Sequence, residues 1–232
     1  MNNTFFQKNK NLLSVVGAIL AFAVITLIYF SPVLQGKRIK QHDIEMHKGM
    51  AEEISQYREA TGNQTLWTNA PFGGMPAWNI SVTPKGNLTE PVYQALRIGM
   101  PQSLGSVFIC MLGFFVLLWV LDCGFWISFI GAIAYGFTSY LFIVIGAGHN
   151  AKAMAMAYMA PVIAGVLLTY KGKYLWGCLL TAFALAFEVR TNHLQITYYL
   201  ALIIVILVIA ELISDIKTKK SGISSRLPSV WS

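Results

Sequence analysis

The chain has 232 residues, of which 56% are hydrophobic and only 12% are charged, and its formal net charge is +7. Soluble domains carry about a quarter charged residues, so this composition excludes a soluble globular protein. Its richness in apolar residues also excludes intrinsic disorder. In a membrane protein a basic excess is typical of cytoplasmic ends, so we predict an integral membrane protein of the all-α class, with the lipid bilayer and not nucleic acid as a partner.

Six apolar segments approach the length of about 20 residues that a helix needs to cross a bilayer. The first could be a secretory signal, but it is long and no small-residue cleavage site follows it, which favours a retained signal anchor. The predicted spans are residues 12–30, 104–121, 125–147, 153–170, 174–190 and 194–213. We therefore expect a polytopic helical bundle over residues 12–213, between an amino-terminal segment (1–11) and a tail (214–232).

The distribution of basic residues predicts the orientation of these spans. The short turns on one side hold only Lys152 and Arg190. The segments on the other side hold Lys8, Lys10, Lys171, Lys173, Lys217, Lys219, Lys220 and Arg226. We expect both termini in the cytoplasm, which places all four histidines and most acidic residues on the outer side.

Residues 35–103 form a predicted outer loop that is too long for a bare connection. Within it, Met46, Met50, Ile54 and Tyr57 recur at helical spacing and predict an amphipathic helix. Such a helix either lies along the outer membrane surface or packs on the bundle as an ordinary surface helix.

The same loop continues into a turn-rich segment with paired glycines and flanking prolines. Trp67, Phe72 and Trp78 surround these turns. Flat rings with polar edges suit a platform for a sugar or a lipid headgroup, and they suit interfacial anchoring equally well.

Polar residues precede the spans that start on the outer side. Asn150 is a predicted N-cap with Lys152 in the first turn, so free amides, the helix dipole and a cation would together favour a phosphate. Asn192, with Gln195 three residues later, resembles a capping box before the last span. His149 and His193 beside these starts are either phosphate-binding groups or hydrogen-bonded loop imidazoles.

Arg190 lies near the predicted membrane interface, where a charge needs compensation. A carboxylate elsewhere in the bundle, a ligand phosphate, or extension of the side chain toward water would each provide it. His42 and His47 diverge on a helix and no zinc-type spacing occurs, so we predict no structural metal site. Loose binding of a divalent cation by Asp43 or Glu45 is an alternative that the sequence leaves open.

Several uncommon strings occur in order along the chain. They are Gly36-Lys37-x-Ile39, Gln41-His42-Asp43-Ile44, Gly49-Met50, Trp67-Thr68-Asn69, Phe72-Gly73-Gly74-Met75-Pro76, Gly148-His149-Asn150-x-Lys152-Ala153 and Asn192-His193-Leu194-Gln195-Ile196-Thr197-Tyr198-Tyr199. With these strings the chain resembles the bacterial YfhO-like membrane proteins over about residues 12–212. The resemblance implies a multi-spanning glycosyltransferase of the GT-C type, which takes sugar from a polyprenyl-phosphate carrier to a cell-envelope acceptor outside the inner membrane.

By the same resemblance, Asp43 in the first outer loop would activate the acceptor hydroxyl, with Glu45 as an accessory. The chemistry of the outer side chains adds candidates for binding substrate or phosphate, namely His42, His149, Asn150, Lys152, Arg190, Asn192 and His193. The tail after the last span does not resemble the family's continuation, which predicts an amino-terminal fragment. Part of a transporter and a non-catalytic module for lipid-carrier binding or assembly are the alternative functions.

Overall fold

A computed structural model describes residues 3–81 and 88–220. Part of the predicted outer loop (82–87), residues 1–2 and most of the predicted tail (221–232) lie outside the described residues. The helices are α1 (Asn3–Tyr29), α2 (Ser31–Leu34), α3 (His42–Thr61), α4 (Thr89–Leu96), α5 (Gln102–Val120), α6 (Phe125–Gly136), α7 (Ser139–Ala147), α8 (Asn150–Tyr170), α9 (Tyr174–Arg190) and α10 (Leu194–Lys220). Two short antiparallel strands, β1 (Trp67–Thr68) and β2 (Met75–Pro76), interrupt the helices.

The prediction of an all-α membrane bundle is confirmed. In the described part of the chain, five helical segments are long and apolar enough to cross a membrane. They are Leu12–Tyr29, Gln102–Val120, Phe125–Ala147, Asn150–Tyr170 and Leu194–Lys217. The remaining predicted span, 174–190, is helix α9, whose 17 residues extend about 25 Å. This is shorter than the hydrocarbon core of about 30 Å.

The span predicted as one helix over residues 125–147 is broken near its middle. Helix α6 ends at Gly136, and α7 begins at Ser139 after Thr138 takes an extended conformation. Glycine and hydroxyl residues both weaken a helix, glycine through backbone entropy and hydroxyls by competing for backbone hydrogen bonds. Gly136 also faces α5, where an added Cβ would lie 3.4 Å from the Val107 carbonyl oxygen.

The core lies where α5 and α8 pack against each other and against their neighbours. Phe22 of α1 stacks on Phe129 of α6 at 5.2 Å and meets Phe115 of α5 edge-on at 5.8 Å. Helix α8 runs antiparallel to α9, because Gly165 lies against Thr181 and Gly177 lies against Thr169. Such close backbone approach between helices requires residues without bulky side chains.

At one end of the bundle, a lysine joins the turn after α8 to the turn after α5. The Lys171 ammonium after α8 donates to the Val120 carbonyl oxygen at the end of α5 and to the Asp122 carboxylate. A cation on the last carbonyl of a helix also complements the helix dipole.

The polar side chains predicted to form the functional site lie at the opposite end of the bundle, which we call the polar end. The starts of α5 and α8 and the end of α7 meet there through Gln41, and the end of α9 contacts α4 and the start of α10. Helix α3, predicted as amphipathic, buries Ala51 and Ile54. Met46, Met50 and Tyr57, the rest of the predicted stripe, are exposed. Gly62 caps the end of α3, because its left-handed backbone lets its N–H bond to the Arg58 carbonyl oxygen.

Candidate functional site

A carboxylate and an imidazole from distant parts of the chain meet at the polar end. Asp43, in the first turn of α3, places Oδ2 3.3 Å from Nε2 of His149, the residue before α8. Both side chains are about half exposed, so an incoming molecule can reach them. Asp43 also lies at a helix start, where a negative charge is favoured.

Gln41 holds this pair in place from the residue before α3. Its buried side-chain amide donates to the Ile145 carbonyl oxygen at 2.5 Å and to Asn150 Oδ1 at 3.1 Å, and it accepts from Asn150 Nδ2 at 3.2 Å. Ser103 of α5 donates to the same Asn150 oxygen at 3.3 Å. Three helices are therefore fixed against one another beside Asp43.

Gly148 is the point of closest approach between the outer loop and the α7–α8 turn. Its φ is +105°, and an added Cβ would lie 3.3 Å from the Cβ atoms of both Gln41 and Asp43. Glycine is needed here for its backbone conformation and for the absence of a side chain.

Two predictions about helix caps are wrong. Asn150 is the first residue of α8 and not its N-cap, because Gln41 and Ser103 occupy its side chain. Asn192 takes a left-handed conformation (φ 54°) after α9, and α10 begins only at Leu194. Asparagine tolerates this conformation better than other side chains do, and Gln195 bonds to the Tyr199 hydroxyl instead of to a cap.

Arg190 has a carboxylate partner, one of the three outcomes predicted for it. Its guanidinium donates to Glu90 and to Thr89 Oγ1 (2.9 Å) of α4, and it lies 3.9 Å from the centre of the Tyr93 ring. These contacts tie α4 to the end of α9. Lys152 points elsewhere, with its ammonium 5.2 Å from the Tyr140 ring centre.

Arg97 lies on Tyr93 as well, so two guanidinium groups flank one phenol ring. Arg97 is only 5% exposed, its Cζ lies 4.3 Å from the ring centre, and its Nη1 donates to the Met100 carbonyl oxygen at 3.0 Å. Burial raises the pKa of Tyr93, an effect that the positive charges of Arg97 and Arg190 oppose. The cluster connects α4 to the end of α9, and we interpret its role as structural.

Glu188 is fully buried near the end of α9, and its carboxylate accepts a hydrogen bond from the Thr197 hydroxyl at 2.9 Å. Nearby, His193 buries its Nδ1 without a hydrogen-bond partner among the described residues. His42 is exposed, and Glu45 pairs with Lys48 at 3.0 Å on the surface of α3. The structure therefore does not bring Glu45 to His149.

The aromatic segment is organised by Glu53 of α3. Its carboxylate accepts hydrogen bonds from the Thr68 hydroxyl and from the backbone N–H groups of Asn69 (2.8 Å) and Ala70 (2.9 Å). Phe72 follows with a positive φ (55°) and is 91% exposed. Trp67 and Trp78 are also exposed, and the Trp67 ring covers Gly74.

We expect Glu53→Ala to release this segment while leaving the bundle folded. The pKa of Glu53 lies below its ordinary value, chiefly because of the Thr68 hydrogen bond and then because of the amides. A lowered folded-state pKa means that the stabilisation is complete above the unfolded-state pKa of about 4.3. It is lost as the pH falls through the lower folded value.

Hydrogen exchange at the Asn69 and Ala70 amides, corrected for intrinsic rates, measures how firmly Glu53 holds this segment. Exchange should be faster in Glu53→Ala at neutral pH, and in the unaltered protein it should rise on acidification. Glu52→Ala is the matched control, because that neighbouring carboxylate bonds only to Gln56 on its own helix in the described structure. Equal protection in both variants would contradict the assignment.

A cavity of about 470 Å³ lies between the end of the first span and the start of α5. Its lining residues are Val33, Gly36, Lys37, Arg38, Ile39, Gln41, Pro101, Ser103 and Leu104. Two of these are basic and none is acidic. Gln41 links the cavity to the Asp43–His149 pair.

The structure thus brings Asp43, His149 and Asn150 together and places Arg190 in a separate cluster with α4. Sequence reasoning missed Gln41, Ser103, Glu53 and Glu90, since no spacing rule marks a buried amide or a carboxylate that binds distant backbone. Within residues 3–81 and 88–220, no three His, Cys, Asp or Glu side chains are grouped so as to hold a metal ion.

No protein-family model, no curated protein and no solved structure matches the chain.

Proposed function

We propose that the chain is the amino-terminal part of a GT-C-type membrane glycosyltransferase. It would transfer a sugar from a polyprenyl-phosphate carrier to an acceptor in the bacterial cell envelope. The observation that supports this most is the contact between Asp43 and His149 at the polar end of an apolar bundle. The Asp43 carboxylate is about half exposed, so an acceptor hydroxyl can come within hydrogen-bond reach of it, as a general base requires.

In the proposed reaction, Asp43 accepts the proton of the acceptor hydroxyl while the acceptor oxygen attacks the anomeric carbon. The bond between that carbon and the carrier's phosphate oxygen breaks, the phosphate leaves as an anion, and the configuration inverts. His149 and the Gln41 network are positioning groups for Asp43. Cations near the site would stabilise the departing phosphate.

The proposal includes a location. The polar end would face the outside of the bacterial cytoplasmic membrane, with both termini in the cytoplasm, as the basic residues predict. The carrier's chain would then lie in the bilayer beside the bundle while its phosphate reaches the site. The exposed Trp67, Phe72 and Trp78 would contact the sugar or the lipid headgroups.

A transfer assay tests the function. Membranes from source cells with the intact gene, and from cells lacking it, are given a polyprenyl-phosphate donor carrying a labelled sugar. We expect gene-dependent appearance of label in envelope material and equal release of free polyprenyl phosphate. A result without any gene-dependent release would reject the enzyme and leave the non-catalytic alternatives.

A further inference from the structure

The cavity lined by Gln41 has a charge pattern that the proposed reaction does not use. Lys37 and Arg38 are among its lining residues, and no acidic residue is. The first 42 residues of the chain contain no Asp or Glu, and the nearest carboxylate in the sequence is that of Asp43.

The other cations discussed above already have partners. Lys48 pairs with Glu45, Lys171 with Asp122 and Arg190 with Glu90, whereas Lys152 lies on the Tyr140 ring. In the described ranges, neither Lys37 nor Arg38 makes an ion pair or a side-chain hydrogen bond. Two unpaired cations on one concave surface attract an anion.

The rest of the lining indicates what kind of anion fits. Val33, Ile39 and Leu104 form an apolar wall between the first span and α5. Leu34, next to this wall, is largely exposed. An apolar wall with a cationic rim matches a molecule that has a hydrocarbon chain and a charged head.

We propose that this cavity binds the phosphate of a polyprenyl-phosphate lipid, with Lys37 and Arg38 as its cationic ligands. The inference rests on the proposed function. It assigns to Lys37 and Arg38 the binding of phosphate that the sequence predicted for Lys152, Arg190, His149 and His193. Gln41 lines the cavity. A Cβ added at Gly148 would lie 3.3 Å from the Cβ atoms of both Gln41 and Asp43, so these two residues are close together. The bound phosphate would therefore lie beside the catalytic carboxylate.

The test is a binding measurement on the purified protein in phosphatidylcholine nanodiscs, with farnesyl phosphate as the probe. Each lost charge should weaken binding about fivefold, so the double variant Lys37→Gln/Arg38→Gln should lose about 25-fold if the effects add. The matched control is Lys40→Gln/Lys48→Gln, which removes two nearby charges outside the lining and should change affinity less than about twofold. Equal loss in both double variants would mean diffuse attraction and would overturn the site.

Three further ligands separate the possible sources of the phosphate. Farnesol should bind about 25-fold more weakly than farnesyl phosphate, and inorganic phosphate and nanodiscs containing phosphatidylglycerol should compete poorly. If farnesol binds as tightly as farnesyl phosphate, the cations have no role and the proposal fails. If inorganic phosphate or phosphatidylglycerol competes equally well, the polyprenyl assignment fails.

Two controls isolate the result from folding and from catalysis. Lys37 and Arg38 are exposed, so the variants should keep the thermal stability of the unaltered protein. Asp43→Asn should bind farnesyl phosphate at least as tightly as the unaltered protein, because it removes a negative charge near the bound phosphate and leaves Lys37 and Arg38 in place. For the unaltered protein, normal binding of farnesyl phosphate without any gene-dependent sugar transfer would reject the reaction and keep the binding site.

Discussion

Replacing Asp43 with Asn should abolish sugar transfer while leaving the protein inserted and folded. A general base contributes about 10²–10⁴-fold to the rate, and an amide cannot accept the proton. The substitution preserves shape at a half-exposed position, and the amide can still contact His149. The readout is gene-dependent transfer in membranes that contain equal amounts of each variant.

Glu59→Gln is the matched control for this experiment. Glu59 lies on the same helix, is exposed, and makes no ion pair or side-chain hydrogen bond among the described residues. It should transfer sugar at the normal rate. Glu45→Gln should have a smaller effect than Asp43→Asn, since Glu45 pairs with Lys48 away from the site. Normal transfer by Asp43→Asn would remove Asp43 from the mechanism.

The second large effect is expected in the packing of α8 on α9. An Ala Cβ at Gly165 would lie 2.6 Å from the Thr181 backbone nitrogen and 3.0 Å from the Gly177 carbonyl oxygen. Backbone atoms cannot rotate away as a side chain does, so the helices must separate. Overpacking of this kind costs about 1–3 kcal/mol, measurable as a lower free energy of unfolding in mixed detergent micelles.

Gly165 and Gly177 form one contact, which sharpens the test. An Ala Cβ at Gly177 would lie 2.8 Å from the Gly165 carbonyl oxygen. Once the first substitution has moved the helices apart, the second costs less, so the double variant should lose less than the sum. Gly17→Ala in α1 is the control, because nothing lies within 4 Å of its added Cβ. It should be neutral or stabilising by about 0.5–1 kcal/mol. Unchanged stability in Gly165→Ala would contradict the close packing.

The helices were well predicted from the sequence because a helix that crosses a bilayer needs a long run of apolar residues. The predicted limits 104–121 and 174–190 lie within two residues of α5 and α9. The break at Thr138 escaped prediction, since hydropathy averages over a window and one residue's backbone conformation does not change the average. Length and apolarity therefore determine the elements, and local hydroxyl and glycine chemistry determines their interruptions.

The sequence predicted which polar residues need a partner, but it did not predict which residues those partners are. A charge near the interface requires compensation, so a partner for Arg190 was expected, but Glu90 is 100 residues away and no spacing rule names it. The same holds for Gln41 and Asn150. Short-range rules assigned Asn150 to a helix cap, and the tertiary hydrogen bonds from Gln41 and Ser103 replaced that role.

The bond between Gln41 and Asn150 joins residues 109 positions apart. A ribosome adds about 5–20 residues per second, so α3 leaves the exit tunnel several seconds before α8 is synthesised. During that interval the amide of Gln41 lacks its partner Asn150. Assembly of the polar end is therefore a late event of translation, and synthesis that stalls before residue 145 leaves Gln41 without Ile145 and Asn150 and leaves Asp43 without His149.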